Sequence, residues 1–328
     1  MLRVLTVRCE SFAIRGSFRI SRGAKTVADV VVAEVRCGAV VGRGECVPYG
    51  RYHETLAGVV AALEAMGPAV AAGLGREALG RVMAPGAART ALDCALWDLE
   101  AKLCGRPVWE LAGLESAPVP VVTAFTLSLD TPEAMAAAAL AAVGQPLLKL
   151  KLGGEGDPER VRAVRLAAPA ARLIADANEA WSFRQLVDFA PLLADLGVEL
   201  IEQPLPADAD EALAGYTGPV PLGADESCHG RDSLVRLRGR YQVLNIKLDK
   251  TGGLTEALCL KRAAEAAGFG IMVGCMVATS LAMAPALLVA QGARVVDLDG
   301  PLLLVADRSP GLRYEDGAVF PPERALWG

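Results

Sequence analysis

In the second half of the 328-residue chain, ionisable residues recur where short apolar runs stop: Lys149 and Lys151, Asp176 with Asn178, Glu202, Asp225 with Glu226, and Lys247. The steps from Lys151 to Asp176, Glu202, Asp225 and Lys247 are 25, 26, 23 and 22 residues. Each is about one strand plus one helix, so these groups converge if the strands form the mouth of a barrel. Lys149 and Lys151, two positions apart on a strand, face the same space. Three carboxylates in one pocket raise one another's pKa unless a cation compensates them. Oxygen ligands without a histidine or thiolate beside them select a hard ion, Mg²⁺ ahead of Mn²⁺, and argue against zinc. Lysines next to that ion lose proton affinity and approach the range where a neutral amine acts as a base. A metal that holds an enolate and a lysine that takes the proton together abstract hydrogen α to a carboxylate. Singly, each piece has a plainer reading, a solvated Lys-x-Lys edge or an Asp capping a helix. The order plus, minus, minus, minus, plus over consecutive units favours the joint reading.

The elements that must position these groups are legible from about residue 118 onward, where apolar runs alternate with helix start and stop signals. Strands are expected at Val119–Phe125, Leu147–Lys151, Leu173–Ala177, Glu199–Glu202, Val220–Ala224, Val243–Leu248, Ile271–Gly274 and Val295–Asp299. Thr131 with Pro132, Asp157 with Pro158, and Ser182 with Gln185 read as helix N-caps, the last as a capping box; Gly144, Gly197 and Gly268 read as stops. Eight such units predict an α/β protein built on a (β/α)8-type parallel barrel. Before it, Val30–Arg36 and Val40–Glu45 read as antiparallel strands, followed by helices near Leu56–Ala72 and Ala87–Leu103, which predicts a separate α+β domain. The expected division is 1–115 for that domain, 116–306 for the barrel and 307–328 for a tail that packs back on the first domain.

Composition narrows the partners. The chain is 53% hydrophobic, yet no run approaches the roughly 18 apolar residues of a membrane span. Val59–Leu74 carries Glu64 and Pro68, and Ala134–Val143 is short and fenced by Glu133 and Gly144. Met1–Glu10 lacks a signal-peptide core, which points to a soluble cytoplasmic protein. A net charge of −5 with scattered basic residues argues against nucleic acid and for a small-molecule substrate; self-association is left open. Eight cysteines without a Cys-x-x-Cys pair read as reduced core thiols. Only His53 and His229 could supply imidazole, which leaves lysine as the base of choice.

Lys149-Leu-Lys151, Asp176-Ala-Asn178-Glu-Ala-Trp181, Ile201-Glu202-Gln203-Pro204, Asp225-Glu226-Ser227 and Asn245-Ile246-Lys247 together resemble the muconate-lactonizing subgroup of the enolase superfamily. Gly44-Glu45-Cys46-Val-Pro-Tyr49 and Ala91-Leu92-Asp93-Cys-Ala-Leu-Trp97-Asp98-Leu99 resemble that family's N-terminal capping domain, so the likeness spans nearly the whole chain. It implies Asp176, Glu202 and Asp225 as Mg²⁺ ligands, Lys151 and Lys247 as an acid/base pair on opposite faces of the substrate, and Lys149 as a group that stabilises the enolate or tunes Lys151.

Two bases across a planar enolate racemise or epimerise. Members with a histidine base place it near the end of the seventh strand, where Gly274-Cys275-Met276-Val277-Ala278-Thr279-Ser280 has none; His229 is expected to fill a loop or core role. Asp297 and Asp299 share one side of the eighth strand and would suit a substrate ammonium, as in the Asp-x-Asp signature of dipeptide epimerases; the plainer reading is that Asp299 caps the turn at Gly300. Two cap-domain loops, Gly16–Lys25 and Pro48–Glu54, are expected to close over the mouth. Ser21-Arg22-Gly23-Ala24 resembles the loop of L-Ala-D/L-Glu epimerases, which implies Arg22 as the partner of a glutamate side chain, although Arg15, Arg19 and Lys25 are also available. Thr123, Cys275 and Met276 are expected to face the substrate. The reading is a Mg²⁺-dependent dipeptide epimerase with L-Ala-D/L-Glu as leading substrate. Alternatives are an N-acylamino-acid racemase, a muconate cycloisomerase or o-succinylbenzoate synthase-like lyase, a Schiff-base aldolase, and a catalytically silent metal-binding barrel.

Overall fold

Alternating apolar and polar residues carry the N-terminal region into an antiparallel sheet in the computed structural model, which describes residues 2–328. Its strands are β1 (Arg3–Ile20), β2 (Gly23–Cys37) and β3 (Val40–Cys46), in the order β1-β2-β3. The long helix Ala87–Cys104 lies on β3 so closely that a Cβ on Gly44 would come 2.2 Å from the Ala91 carbonyl oxygen, and one on Gly42 equally close to that of Ala95. Only glycine permits this approach. The expected loop Gly16–Lys25 is instead the tip of the β1–β2 hairpin, with a register shift between Ala13 and Phe18 that releases the two strands from strict pairing. The expected helix 56–72 is two, Leu56–Glu64 and Gly67–Ala71; Pro68 has no N–H to continue the first and sits in the opening turn of the second.

The barrel strands follow a short segment, β4 (Val121–Val122), and are β5 (Phe125–Leu127), β6 (Leu147–Lys151), β7 (Arg172–Asp176), β8 (Val198–Glu202), β9 (Leu222–Ala224), β10 (Val243–Ile246), β11 (Gly270–Gly274) and β12 (Val295–Asp297). They pair in parallel in sequence order, and the Ala124 N–H donating to the Val296 carbonyl at 2.8 Å nearly closes the ring between β5 and β12. The first expected strand is thus divided. Val121 and Val122 pair with Val319 and Ala318 of a C-terminal hairpin, β13 (Tyr314–Glu315) and β14 (Ala318–Val319), and the barrel strand begins at Phe125. The sixth expected strand stops at Ile246 because Leu248–Thr251 turns into a short helix.

Inside the ring lies a sealed apolar layer of Ala124, Leu147, Ile174, Leu200, Val243, Met272 and Val295. Side chains alternate with period two, so the inward residues above that layer are Lys149 and Lys151, Asp176, Glu202, Asn245 and Lys247, Gly274, and Asp297 with Asp299. An apolar floor under a charged rim is therefore written into β6, β7, β8, β10 and β12. Thr131 and Ser182 cap their helices as expected, Ser182 within a complete capping box. Asp157 does not: Gly156 holds the cap position, and the Asp157 carboxylate turns inward to accept from the Gly153 and Gly154 N–H groups and Trp181 Nε1. At the C-terminus, Trp327 Nε1 donates to the Cys94 carbonyl at 3.1 Å and Arg43 donates to that of Ala325 at 2.6 Å. No helix among the described residues is long and apolar enough to cross a membrane.

Candidate active site

Strand register makes neighbours of the residues that end the strands. Lys151 is paired with Asp176 and Asp176 with Glu202, while Asp225 and Lys247 stand just past the ends of β9 and β10. In the ring order, β7, β8 and β9 lie between β6 and β10, so the three carboxylates occupy one arc of the mouth and Lys151 and Lys247 flank it. All five side chains are buried, as is Lys149 one row below Lys151.

Lysines stand among the carboxylates. Lys149 Nζ lies 2.7 Å from Glu202 Oε2, 2.7 Å from Asp297 Oδ2 and 3.1 Å from Asp176 Oδ2. Lys151 Nζ donates to Asp176 Oδ2 at 2.6 Å and Lys247 Nζ to Asp225 Oδ2 at 2.7 Å. Among the described residues, no three acidic, histidine or cysteine side chains are drawn together as a ready-made metal cluster, because the ammonium groups sit between them. The donor set still suits a hard cation: buried carboxylate oxygens alone, with Glu202 Oε2 close to Lys149 Nζ yet without an aligned hydrogen-bond donor.

Proton affinities follow this pairing when ammonium groups are the only cations at the rim, whereas the expectation of weakened lysines concerns the ion-loaded site. Burial alone would lower the Lys149 and Lys247 ammoniums, but Asp297, Glu202 and Asp176 around the first and Asp225 beside the second outweigh it, holding both well above the ordinary lysine value. Asp225 is held well below the usual carboxylate range, burial being overcome by Lys247 and Lys250, and Asp176 is lowered in the same way by Lys151 and Lys149. Glu202, raised by burial and by Asp176, is pushed up to about 7.

A cavity of about 350 Å³ opens onto this rim, roofed by the β1–β2 hairpin tip and by residues 49–52. Lys151, Asp225, Lys247, Cys275, Met276, Asp297 and Asp299 line it; Thr123 does not, and Thr126 does. Thr123 Oγ1 is committed to backbone, donating to the Ala124 carbonyl and accepting from the Leu298 N–H. Asp299 occupies the cap position of the turn at Gly300–Leu303 without a side-chain cap bond; its Oδ2 accepts from the Thr126 N–H at 2.6 Å. Burial and Asp297 push it up to about 7.

Arg22 lines the cavity and is also bonded within the protein. Its guanidinium donates to Glu226 Oε1 at 2.6 Å, the Asn178 carbonyl at 2.7 Å, Glu179 Oε2 at 3.0 Å and the Tyr49 hydroxyl at 3.2 Å. Arg51 grips Glu179 with two bonds of 2.7 Å. These contacts latch both cap segments to the loop after β7, where Asn178 and Glu179 hold positive φ angles of 44° and 68°. Lys25, which also lines the cavity, makes no ion pair among the described residues and stands 5.7 Å from the Tyr49 ring centroid. Burial lowers its proton affinity, only partly offset by Asp29. His229 Nε2 contacts the Glu226 carbonyl at 3.1 Å and its ring packs edge-on against Tyr52, outside the cavity.

Three positions escape a reading based on strand ends. Lys250 Nζ reaches Asp225 Oδ1 at 2.6 Å from the short helix after β10. Glu45, quoted above only within a motif, accepts from the Thr279 N–H and hydroxyl and from Arg308, tying the cap sheet to the loop that carries Cys275 and Met276. Gln203 accepts from the Asp225 and Ser227 N–H groups and so fixes the backbone of the third carboxylate. Their signal was polarity inside apolar context, which does not by itself indicate direction.

Residues 3–113 match the family model described as mandelate racemase / muconate lactonizing enzyme, N-terminal domain, and residues 133–325 the model described as enolase C-terminal domain-like. An L-Ala-D/L-Glu epimerase of Escherichia coli is 46% identical over 97% of this chain and 99% of its own length. An N-acetyl-D-glutamate racemase of Pseudoalteromonas is 49% identical over 88% of this chain and 91% of its own. Among solved structures, an enolase family member from Agrobacterium tumefaciens with homology to dipeptide epimerases, holding sodium and L-Ala-L-Glu, superposes with a TM-score of 0.98 at 56% identity, covering 99% of this chain and all of that one. A dipeptide epimerase from Enterococcus faecalis, complexed with Mg and L-Leu-L-Tyr, gives 0.90 at 31% identity over 98% of each chain.

Proposed function

Because the chain belongs to the mandelate racemase and muconate lactonizing enzyme family of the enolase superfamily, we propose that it is a Mg²⁺-dependent dipeptide epimerase that inverts the α-carbon of the C-terminal residue, with L-Ala-D/L-Glu as leading substrate. The observation that carries this reading is the placement of Lys151 and Lys247 on either side of the arc that bears Asp176, Glu202 and Asp225, with Lys151, Asp225 and Lys247 lining one cavity and Asp176 and Glu202 buried behind them.

Asp176, Glu202 and Asp225 would hold the cation, which supplies positive charge opposite the substrate's α-carboxylate and so acidifies the α-hydrogen. Lys247, once released from Asp225, keeps the burial that favours a neutral amine and loses the anion that opposes it. One of the two lysines takes the α-proton on its Nζ as the C–H bond breaks. The other gives a proton from its Nζ to the opposite face, and the configuration inverts. Lys149, whose ammonium lies deepest, stays protonated and lends charge to the substrate carboxylate. Asp297 and Asp299 face the free amino end, and Lys25 faces an acidic side chain.

A second reading, racemisation of an N-acylated glutamate, has one observation in its favour. Lys149 already pairs with Asp297, and Asp299 is pushed up to about 7, so the amino-end pocket is less anionic than two carboxylates imply. The two separate in D₂O with added Mg²⁺, where α-deuteration of L-Ala-L-Glu and of N-acetyl-L-glutamate is followed side by side. The dipeptide should exchange at least tenfold faster at equal concentration; exchange confined to the N-acetyl compound refutes the dipeptide assignment.

A further inference from the structure

Four lysines reach the carboxylates of the rim, and three of them touch only side chains there: Lys149 meets Asp176, Glu202 and Asp297, Lys151 meets Asp176, and Lys247 meets Asp225. Lys250 is held differently. Its Nζ donates to the backbone carbonyls of Asp225 at 2.5 Å and Asn245 at 3.0 Å, and to Asp225 Oδ1 at 2.6 Å. An ammonium has three N–H groups, and all three are used. The side chain is sealed from solvent and does not line the cavity. Withdrawing it would take a donor from the Asn245 carbonyl and from the Asp225 carbonyl, which the Cys228 N–H also reaches at 3.0 Å. The four-residue helix that carries it is pinned from the cap side, by Arg89 on the Thr251 and Gly252 carbonyls and by Thr90 Oγ1 on that of Leu248.

We propose that Lys250 is a permanent counter-charge that keeps Asp225 Oδ1 occupied, restricts Asp225 to one exchangeable oxygen, and thereby biases the rim toward a small octahedral cation over a larger one; this rests on the metal reading of the site given above. Among the described residues, the only other ammonium partner of that carboxylate is Lys247, which lines the cavity and can leave Oδ2. A ligand with one oxygen to offer suits Mg²⁺, which demands six ligands in near-ideal geometry. Ca²⁺ accepts six to eight and exploits bidentate carboxylates. Lys250 is on this account a positioning residue, acting through Asp225 and never on the substrate.

The test is calorimetric titration of the metal-free full chain with MgCl₂ and with CaCl₂, without dipeptide, for the wild type and Lys250→Met. Freeing Oδ1 should lower the ratio of Mg²⁺ to Ca²⁺ affinity at least tenfold, and a ratio unchanged within twofold overturns the assignment. Should Lys250→Met not fold, a crystal structure of the Mg²⁺-loaded wild type decides. One-oxygen coordination by Asp225 with Lys250 Nζ still bonded to Oδ1 supports the assignment, and bidentate coordination or a displaced Lys250 refutes it. A wild-type protein that binds neither ion refutes the metal reading and this assignment with it, whereas binding with an unmoved ratio refutes the assignment alone.

Discussion

Replacing Lys25 by Met should convert an enzyme that favours an acidic C-terminal residue into one that no longer distinguishes it from its amide. The Lys25 ammonium lines the cavity, is partly desolvated and has no carboxylate partner among the described residues, where it stands over the face of Tyr49 at 5.7 Å. A charge held that way gains from a ligand carboxylate, because the anion restores what burial removed. A hydrogen bond between charged groups contributes about 1.5–3 kcal/mol, which is roughly 10- to 150-fold in kcat/KM. L-Ala-L-Glu should lose that factor in Lys25→Met, and L-Ala-L-Gln, which offers no charge, should change by less than about threefold.

Arg22→Met supplies the contrast. Its guanidinium bridges Glu226, Glu179, the Asn178 carbonyl and the Tyr49 hydroxyl, so its loss loosens the hairpin tip and leaves Glu226 buried without its cation. Both dipeptides should therefore suffer alike. Initial rates for the two substrates, read by circular dichroism or by α-deuteration, give the four values needed. Equal losses on Glu and Gln in Lys25→Met, or a loss confined to Glu in Arg22→Met, would reverse the roles assigned to the two residues.

Lys247→Ala should abolish interconversion of the epimers, by at least about 10²-fold given the usual contribution of a positioned acid/base group, and a variant retaining most of its turnover removes the two-base scheme. In the metal-free protein, Glu202 and Asp299 bind protons up to about pH 7 when folded but release them near pH 4 to 4.5 when unfolded. The folded state thus holds extra protons between those values, and its stability falls as pH rises through that window. Mg²⁺ competes with the proton on Glu202, so its stabilisation, read as a shift in Tm, should be larger at pH 8 than at pH 6; equal shifts count against Glu202 as a ligand. Asp157→Ala strips four donors, the Gly153 and Gly154 N–H groups, Trp181 Nε1 and Arg160 Nη1, of a buried acceptor. It should lower unfolding free energy in urea by about 3 kcal/mol, and a loss under about 1 kcal/mol would show that water replaces the carboxylate.

The barrel and its charged rim were legible because one rule, period-two alternation, governs both. Leu147, Lys149 and Lys151 fall on one face, as do Val295, Asp297 and Asp299, and the spacing of units sets which faces meet. What could not be read depends on partners distant in sequence. Val121 and Val122 look like a barrel strand in isolation, and only the C-terminal hairpin claims them for another sheet. Gly16–Lys25, rich in glycine and basic residues, looks like a loop because its strand pairing is interrupted by a shift that no local pattern announces. Thr123 is expected at the cavity from the sequence, and Thr126 is not among the expected residues. The start of the strand at Phe125 puts Thr126 on the cavity and turns Thr123 to the backbone of Leu298.

At the lysines, proton affinity depends on which positive charge the rim carboxylates face. Reasoning from residue types places a cation among Asp176, Glu202 and Asp225 and concludes that neighbouring amines lose protons. With ammonium groups alone among those carboxylates, the same geometry has the opposite sign, and Lys149 and Lys247 hold their protons more tightly than free lysine. Both conclusions follow from Coulomb's law at the same few ångströms; they differ in which positive charge the carboxylates face. A site of this kind links ion binding to proton release, because Asp176 and Asp225, turned to a cation, leave the buried Lys151 and Lys247 without their anions. The base is thus made available by the event that acidifies the substrate, and neither a lysine nor a carboxylate considered alone contains that coupling.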